Sequence, residues 1–259
     1  MSSFPEDTLE EKLVENPIKN NWYQASSYYC STFALITTYA ESGETNIGPY
    51  QLSFPFEVIN DHTIMLCSRP DSNTVENIKR TKKCALNYIE YDREVMDNIV
   101  ALGYPGQTVE EKLSDSSVFD IVDSPTAASK DDSAIPRVLK QAFQVYECTW
   151  DSERDIDSVL KNSTSAHLLL NIDRILLKES WKANMEEGGK YMPKLPLTYG
   201  FKGGDKFWFG EPAPAFWLPL PSDRGPRVEL IIYEANRIDP KYQFTREACE
   251  ALTIVPKAF

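Results

Sequence analysis

Between Thr37 and Tyr88 the chain alternates β-rich runs with turn residues around a single helix-like stretch, and this pattern restricts the fold more than any other feature. It reads TTYAESGETNIGPYQLSFPFEV and, after a short gap, TIMLCSRPDSNTVENIKRTKKCALNY. The preceding run, Tyr28 to Tyr39, is dense in Thr, Tyr, Phe and Ile and predicts a strand. Glu41 to Glu44 is a turn. Thr45 to Val58 is extended, and Pro49 and Pro55 place it at a sheet edge or bulge, because proline cannot donate to a ladder. Thr63 to Ser68 predicts a short buried strand. Asn73 to Lys82 predicts a helix, with Asn73 as N-cap, Glu76 three residues on, and Val75 and Ile78 on its apolar face. Ala85 to Ile89 predicts another strand.

Further along, Arg93 to Leu102 predicts a helix stopped by Gly103-Tyr104-Pro105-Gly106, with one more helical turn at Thr108 to Leu113. Residues 114–135 read as a surface loop and Val138 to Trp150 as a long strand. From His167 to Leu177, Leu168, Leu170 and Ile172 alternate with Asn171 and Asp173, the clearest strand signal of all. Val228 to Tyr233 predicts a last strand and 245–252 a terminal helix. Strands outnumber helices and do not alternate with them. The expected class is therefore mainly β with peripheral helices, a barrel and not a doubly wound sheet. Residues 1–24 are expected to form an N-terminal arm, helical from Leu9 to Val14 and ended by Pro17. Residues 25–259 are expected to form a single domain, with a Pro- and aromatic-rich extension at about 178–227.

Charge and composition remove several functions. The net charge is -12, and the only basic clusters are Lys79-Arg80 and Lys82-Lys83, so nucleic acid is not an expected partner. No window approaches the ~18 apolar residues of a membrane span, and the acidic N-terminus lacks the apolar core of a signal peptide. A cytoplasmic location is the expectation. The five cysteines are scattered without a CxxC; Cys30, Cys67 and Cys148 fall in strand-like runs. This usage suits a reduced protein with neither disulfide framework nor zinc site. GxxxxGK[ST], GxSxG and HExxH are all absent.

Two constellations carry chemistry. In Ser68-Arg69-Pro70-Asp71-Ser72-Asn73-Thr74, hydroxyls and an Arg meet the start of a helix, whose unpaired N–H groups favour an anion such as a phosphate. Arg69 can grip phosphate oxygens in a bidentate fork. The same residues would also serve an ordinary capped helix with a surface Arg. In Thr37-Thr38 with Asn46-Ile47-Gly48-Pro49-Tyr50-Gln51-Leu52-Ser53, a kinked edge strand would leave backbone donors and acceptors for the polar edge of a flat ring, and Gly48 would allow close approach. An ordinary β-turn with polar groups in solvent would look alike.

The ordered succession of Thr37-Thr38, Gly43, Asn46-Ile47-Gly48-Pro49-Tyr50, Thr74, Asn77-Ile78 and Cys84-Ala85-Leu86-Asn87 resembles the flavin reductase-like, FMN-binding split-barrel family. Later pieces are similar too: Gly103 to Gly106, Ile135-Pro136, Tyr146-Glu147-Cys148, His167 to Leu170, and Leu195 to Gly200. The match spans roughly residues 25–210. Departures are Gln51 in place of Ser, Asn60-Asp61-His62 in place of a Pro-Pro pair, and Asn171 in place of a late-strand Gly.

The resemblance implies a split β-barrel that binds FMN non-covalently, usually at a homodimer interface. Carried over, Asn46, Ile47, Gly48, Gln51 and Ser53 would face the isoalloxazine beside Thr38. Ser68, Arg69 and Thr74, with Asn73 at the helix start, would hold the phosphate. It further implies an oxidoreductase that takes hydride from NAD(P)H onto flavin and passes electrons to an acceptor or partner oxygenase. The alternatives are a non-catalytic FMN electron carrier, or a barrel that has lost flavin and binds another small ligand. His62 and His167 are the only histidines. A polar cap at a strand start and a role near the nicotinamide are both open for them.

Overall fold

The computed structural model describes residues 13–20, 22–27, 29–59, 61–103, 111, 118–130, 134–154, 156–158, 160, 163–187, 191–201 and 207–210. The expectations for residues 1–12, Thr108 to Leu113 (Glu111 apart), Val228 to Tyr233 and 245–252 lie outside these, as does most of the 202–227 segment. A seven-stranded, wholly antiparallel sheet dominates. Its strands are β1 (Ala34–Tyr39), β2 (Thr45–Tyr50), β3 (Ser53–Glu57), β4 (Thr63–Ser68), β5 (Lys83–Tyr88), β8 (Gln144–Trp150) and β9 (Ala166–Leu177). They are ordered β2-β1-β5-β8-β9-β4-β3. Short pairs β6 (Ile121–Val122) with β7 (Val138–Leu139), and β10 (Leu197–Phe201) with β11 (Phe207–Gly210), flank it.

Connectivity forces this sheet to curl. β2 and β3 are its opposite edges, yet only Gln51 and Leu52 separate them in the chain. Laid flat, the two edges would stand roughly 29 Å apart at about 4.8 Å per strand. Three Cα steps reach about 11 Å. The sheet must therefore bend into a barrel whose seam lies at Tyr50–Ser53. The single extended segment expected from Thr45 to Val58 is thus two strands, one on each side of the seam. Both prolines sit on edges as expected, and Pro55 lies at a register shift between β3 and β4.

The two faces bury separate cores. Ala34, Ile36, Ile64, Leu66, Leu86, Leu168 and Leu170 share one cluster with Val75 and Ile78. Because β1 and β4 are not neighbours in the sheet, their side chains can meet only on the concave face. Leu35, Ile47 and Ala85 turn to the other face and pack with Met96, Ile99 and Leu102. β1 is therefore covered on both sides, which explains its near-continuous burial, Thr37 and Thr38 included.

Helix α2 (Asn73–Thr81) closes one end of the barrel, and α3 (Arg93–Leu102) lies over the outer cluster. α1 (Trp22–Ala25), α4 (Pro125–Lys130) and α5 (Glu179–Glu186) are peripheral. Several expectations change. The N-cap of α2 is Ser72, not Asn73: Ser72 Oγ accepts from Val75 N at 3.3 Å, and Asn73 is the first helical residue. The first strand is shorter than expected, and Cys30 lies exposed before it, whereas Cys84 is a strand residue. Leu13 and Val14 are exposed and not helical. The Val138 to Trp150 run is broken by a turn into β7 and β8, and the 114–135 loop carries β6 and α4.

Candidate functional site

The two constellations lie side by side. β2 runs past the start of α2, and Asn46 Nδ2 donates to Thr74 Oγ1 at 3.0 Å and to Thr38 Oγ1 at 3.4 Å. Asn77 Nδ2 donates to the same Thr38 hydroxyl at 3.1 Å. At the end of β2, Tyr50 Oη donates to Ser72 Oγ at 3.2 Å, and Ser68 Oγ lies 3.1 Å from the same atom. The end of β4, the kinked edge strand and the N-terminus of α2 therefore form one corner.

Its ten expected residues divide by depth. Thr38, Asn46, Ile47, Gly48 and Thr74 are buried. Ile47 packs into the outer core, while Thr38, Asn46 and Thr74 bond to one another on the concave side and shape the corner from behind. Gly48 is required by space. An added Cβ would stand 2.7 Å from the Tyr50 ring and 2.9 Å from Thr74 Oγ1. Gln51, Ser53, Ser68 and Asn73 are half-buried, and Arg69 is exposed. Gln51 Nε2 donates to Thr198 O at 3.4 Å, tying the seam to β10, and Ser53 Oγ donates to Tyr50 O at 3.4 Å.

The donor set fits a phosphorylated ring compound. Arg69 has its side chain 57% exposed and among the described residues pairs with Asp71 at 3.9 Å, so an anion can recruit it from a weak surface pair. The first turn of α2 presents backbone N–H groups beside it. Behind them, Asn46 Oδ1 is buried with no hydrogen-bond partner among the described residues, beside an otherwise satisfied network. Tyr50, Ser72, Asn77 and Thr198 complete the corner; all four fall within the motifs read from the sequence, which assigned them no contact of their own.

Neither histidine belongs to the corner's hydrogen-bond network. His62 lies at the opposite end of β4, in a polar cleft of about 390 Å³ with Asp61, Asp151, Arg154, Asn171 and Ile172. There Arg154 is held by Asp151 at 2.6 Å, Glu57 at 2.6 Å and Asn171 at 3.0 Å. The Arg154 hydrogen bond keeps the Asp151 carboxyl below the usual aspartate range. His167 sits on the outer face of β9, with Nδ1 2.9 Å from Asp157 Oδ1 in the 3₁₀ turn Ile156–Ser158. Among the described residues, no group of His, Cys, Asp and Glu could hold a metal ion, and no helix is long and apolar enough to cross a membrane.

A curled antiparallel sheet with its seam beside a capping helix is the split β-barrel of the flavin reductase-like proteins. No family model matches the sequence, and no curated protein matches it. Solved structures match the fold. Nitrilotriacetate monooxygenase component B from Bacillus cereus superposes with a TM-score of 0.57 at 14% identity, over 84% of this chain and 100% of its own. Flavoredoxin from Methanosarcina acetivorans gives 0.56 at 13%, over 84% and 99%. An FMN-binding protein from Thermus thermophilus with bound 1-cyclohex-2-enone gives 0.54 at 15%, over 81% and 99%.

Proposed function

We propose that the protein binds FMN at the corner between β2 and α2 and acts as a flavin oxidoreductase. In this reading it takes hydride from NAD(P)H onto the flavin and passes the electrons to an acceptor or a partner oxygenase. One observation carries the reading: β2 is bonded to the start of α2, Asn46 Nδ2 to Thr74 Oγ1 at 3.0 Å. This juxtaposition sits in a fold shared with an FMN-binding protein, a flavoredoxin and a monooxygenase component.

FMN, when bound, supplies the hydride acceptance and electron transfer; the protein supplies position and electrostatics, so no acid or base of its own is obligatory. Arg69, Ser68 and the first turn of α2 would take the phosphate. The Asn46–Gln51 backbone would lie along the ring, with Gly48 holding that strand close to the helix. A second copy of the chain completes the proposal. Edge strand β3 leaves Phe54 43% and Phe56 50% exposed beside Val58, a stripe of the kind soluble proteins otherwise protect with charge. Light scattering is expected to give a dimer that Phe54→Glu with Phe56→Glu turns into a monomer.

The test of function is an absorption spectrum of the purified protein with FMN, then NADH or NADPH without air. Flavin fluorescence should be quenched on binding, and the visible band should bleach on addition of one of the two nucleotides. If FMN binds and neither bleaches it, the protein is a non-catalytic carrier. If FMN is not bound at all, the corner serves another ligand and the flavin reading is wrong.

A further inference from the structure

We infer that Cys67, His167 and Asp157 form a peroxide-reactive thiol site on the outer face of the barrel. Cys67 Sγ is the nucleophile, His167 the base, and Asp157 the residue that positions the imidazole.

The geometry begins with register. Cys67 on β4 is directly opposite His167 on β9. Leu66 and Leu168 point into the concave core, so their neighbours Cys67 and His167 share the outer face. Cys67 N donates to Leu52 O, on the β3 side, at 2.9 Å. Its backbone groups therefore turn away from β9, which makes Cys67–His167 a non-hydrogen-bonded pair. In such pairs the Cα atoms approach to about 4.5 Å and the side chains are closest.

His167 N–H points the other way, past the last β8–β9 pair at Trp150 and Leu170. Asp157 takes that N–H with both oxygens, at 3.1 and 3.2 Å, and also meets ring Nδ1 at 2.9 Å. One carboxylate thus fixes the backbone and the ring together. An ionised carboxylate only accepts, so Nδ1 carries the proton and Nε2 is the basic nitrogen. Cys67 is half-buried beside Tyr23 of α1. Burial, and then the Asp157 carboxylate, push its thiol pKa up. The thiol therefore rests protonated, and its attack requires a neighbouring base to draw the proton off. This is the division of labour of nucleophile, base and orienting carboxylate in hydrolytic triads.

The reaction balances with hydrogen peroxide alone. Cys67 Sγ attacks one peroxide oxygen; the S–O bond forms and the O–O bond breaks. Sulfur loses two electrons and the peroxide gains them. The thiol proton passes to His167 Nε2 and on to the departing hydroxide, leaving Cys67 sulfenic acid and water. Reduced flavin meeting dioxygen would supply the peroxide under the function proposed above, but the site's reactivity does not depend on that reading. The plain alternative, that Asp157 only caps a strand end, predicts no rate advantage for Cys67.

The experiment uses full-length, flavin-free protein, added hydrogen peroxide, dimedone trapping and peptide mass spectrometry. Exposed Cys30 is the standard within the chain, and buried Cys84 and Cys148 report an intact barrel. Cys67 is expected to form sulfenic acid at least about tenfold faster than Cys30, despite its lower exposure, because a positioned base assists it. His167→Asn, which can still bond to Asp157, should remove that advantage and leave Cys30 unchanged; Asp157→Asn should remove part of it. A Cys67 rate no greater than that of Cys30, or one unaltered by His167→Asn, would overturn the assignment. Labelling of Cys84 or Cys148 in a variant marks a loosened barrel, and the wild-type comparison then decides.

Discussion

Replacing Gly48 by Ala tests whether the contact between β2 and α2 is as tight as it looks. Gly48 is not at a positive φ, so backbone strain is not at issue and space alone decides. The new methyl would stand 2.9 Å from Thr74 Oγ1 and 2.7 Å from Tyr50 Cε2. Thr74 is only 1% exposed, and its hydroxyl accepts from Asn46 Nδ2, so it cannot turn aside without breaking that bond. A buried amide left without its partner costs about 1–3 kcal/mol. Overpacking a filled site adds about 1–3 kcal/mol. The expected destabilisation by urea unfolding is therefore about 2–6 kcal/mol. In a Thr74→Ala background the obstructing hydroxyl is already gone, and Gly48→Ala should cost at least about 1 kcal/mol less. A wild-type-background loss under about 1 kcal/mol, or strict additivity with Thr74→Ala, would show that the corner has slack.

Arg69→Ala is expected to weaken FMN binding by about 1.5–3 kcal/mol, the range for a charged hydrogen bond, and fluorescence quenching measures it; unchanged affinity would put the phosphate elsewhere. Ser72→Ala should cost about 1 kcal/mol of stability as a lost N-cap. Asn73→Ala should cost less than Ser72→Ala, and the reverse order in urea unfolding would reinstate Asn73 as the cap. The folded-state pKa of Asp151 is depressed by Arg154, so its contribution is present above the unfolded value and is lost as pH falls through the folded one. Urea midpoints below about pH 4 should accordingly fall less steeply in Asp151→Asn than in the wild type; parallel slopes would contradict this.

Local chemistry was legible in the sequence and long-range closure was not. β4 and α3 have the bounds that their periodicity predicted, Thr63–Ser68 and Arg93–Leu102, because strand alternation and helix stops act within a few residues. Pro49 and Pro55 correctly announced edges. They could not announce that the two edges belong to opposite ends of one sheet. Ser72 and Asn73 are both good caps, and only the backbone angles choose between them: Ser72 is extended at φ -80 and ψ 140. In the candidate site, Thr38, Asn46 and Thr74 are hydrogen-bonded to one another, and their burial, which depends on α2 lying across them, could not be read from the sequence. The partner of His167 was invisible for the same reason, since Asp157 reaches it from a turn that no periodicity marks.

The strand order also dictates when a growing chain can assemble. The strands made first form two unconnected fragments, β2-β1-β5 and β4-β3, and only the hairpin β8–β9 bridges them. A ribosome must therefore release residues through Leu177 before any continuous sheet exists. Until then the apolar sides of both fragments need shelter, which makes the nascent first half a natural client for chaperones.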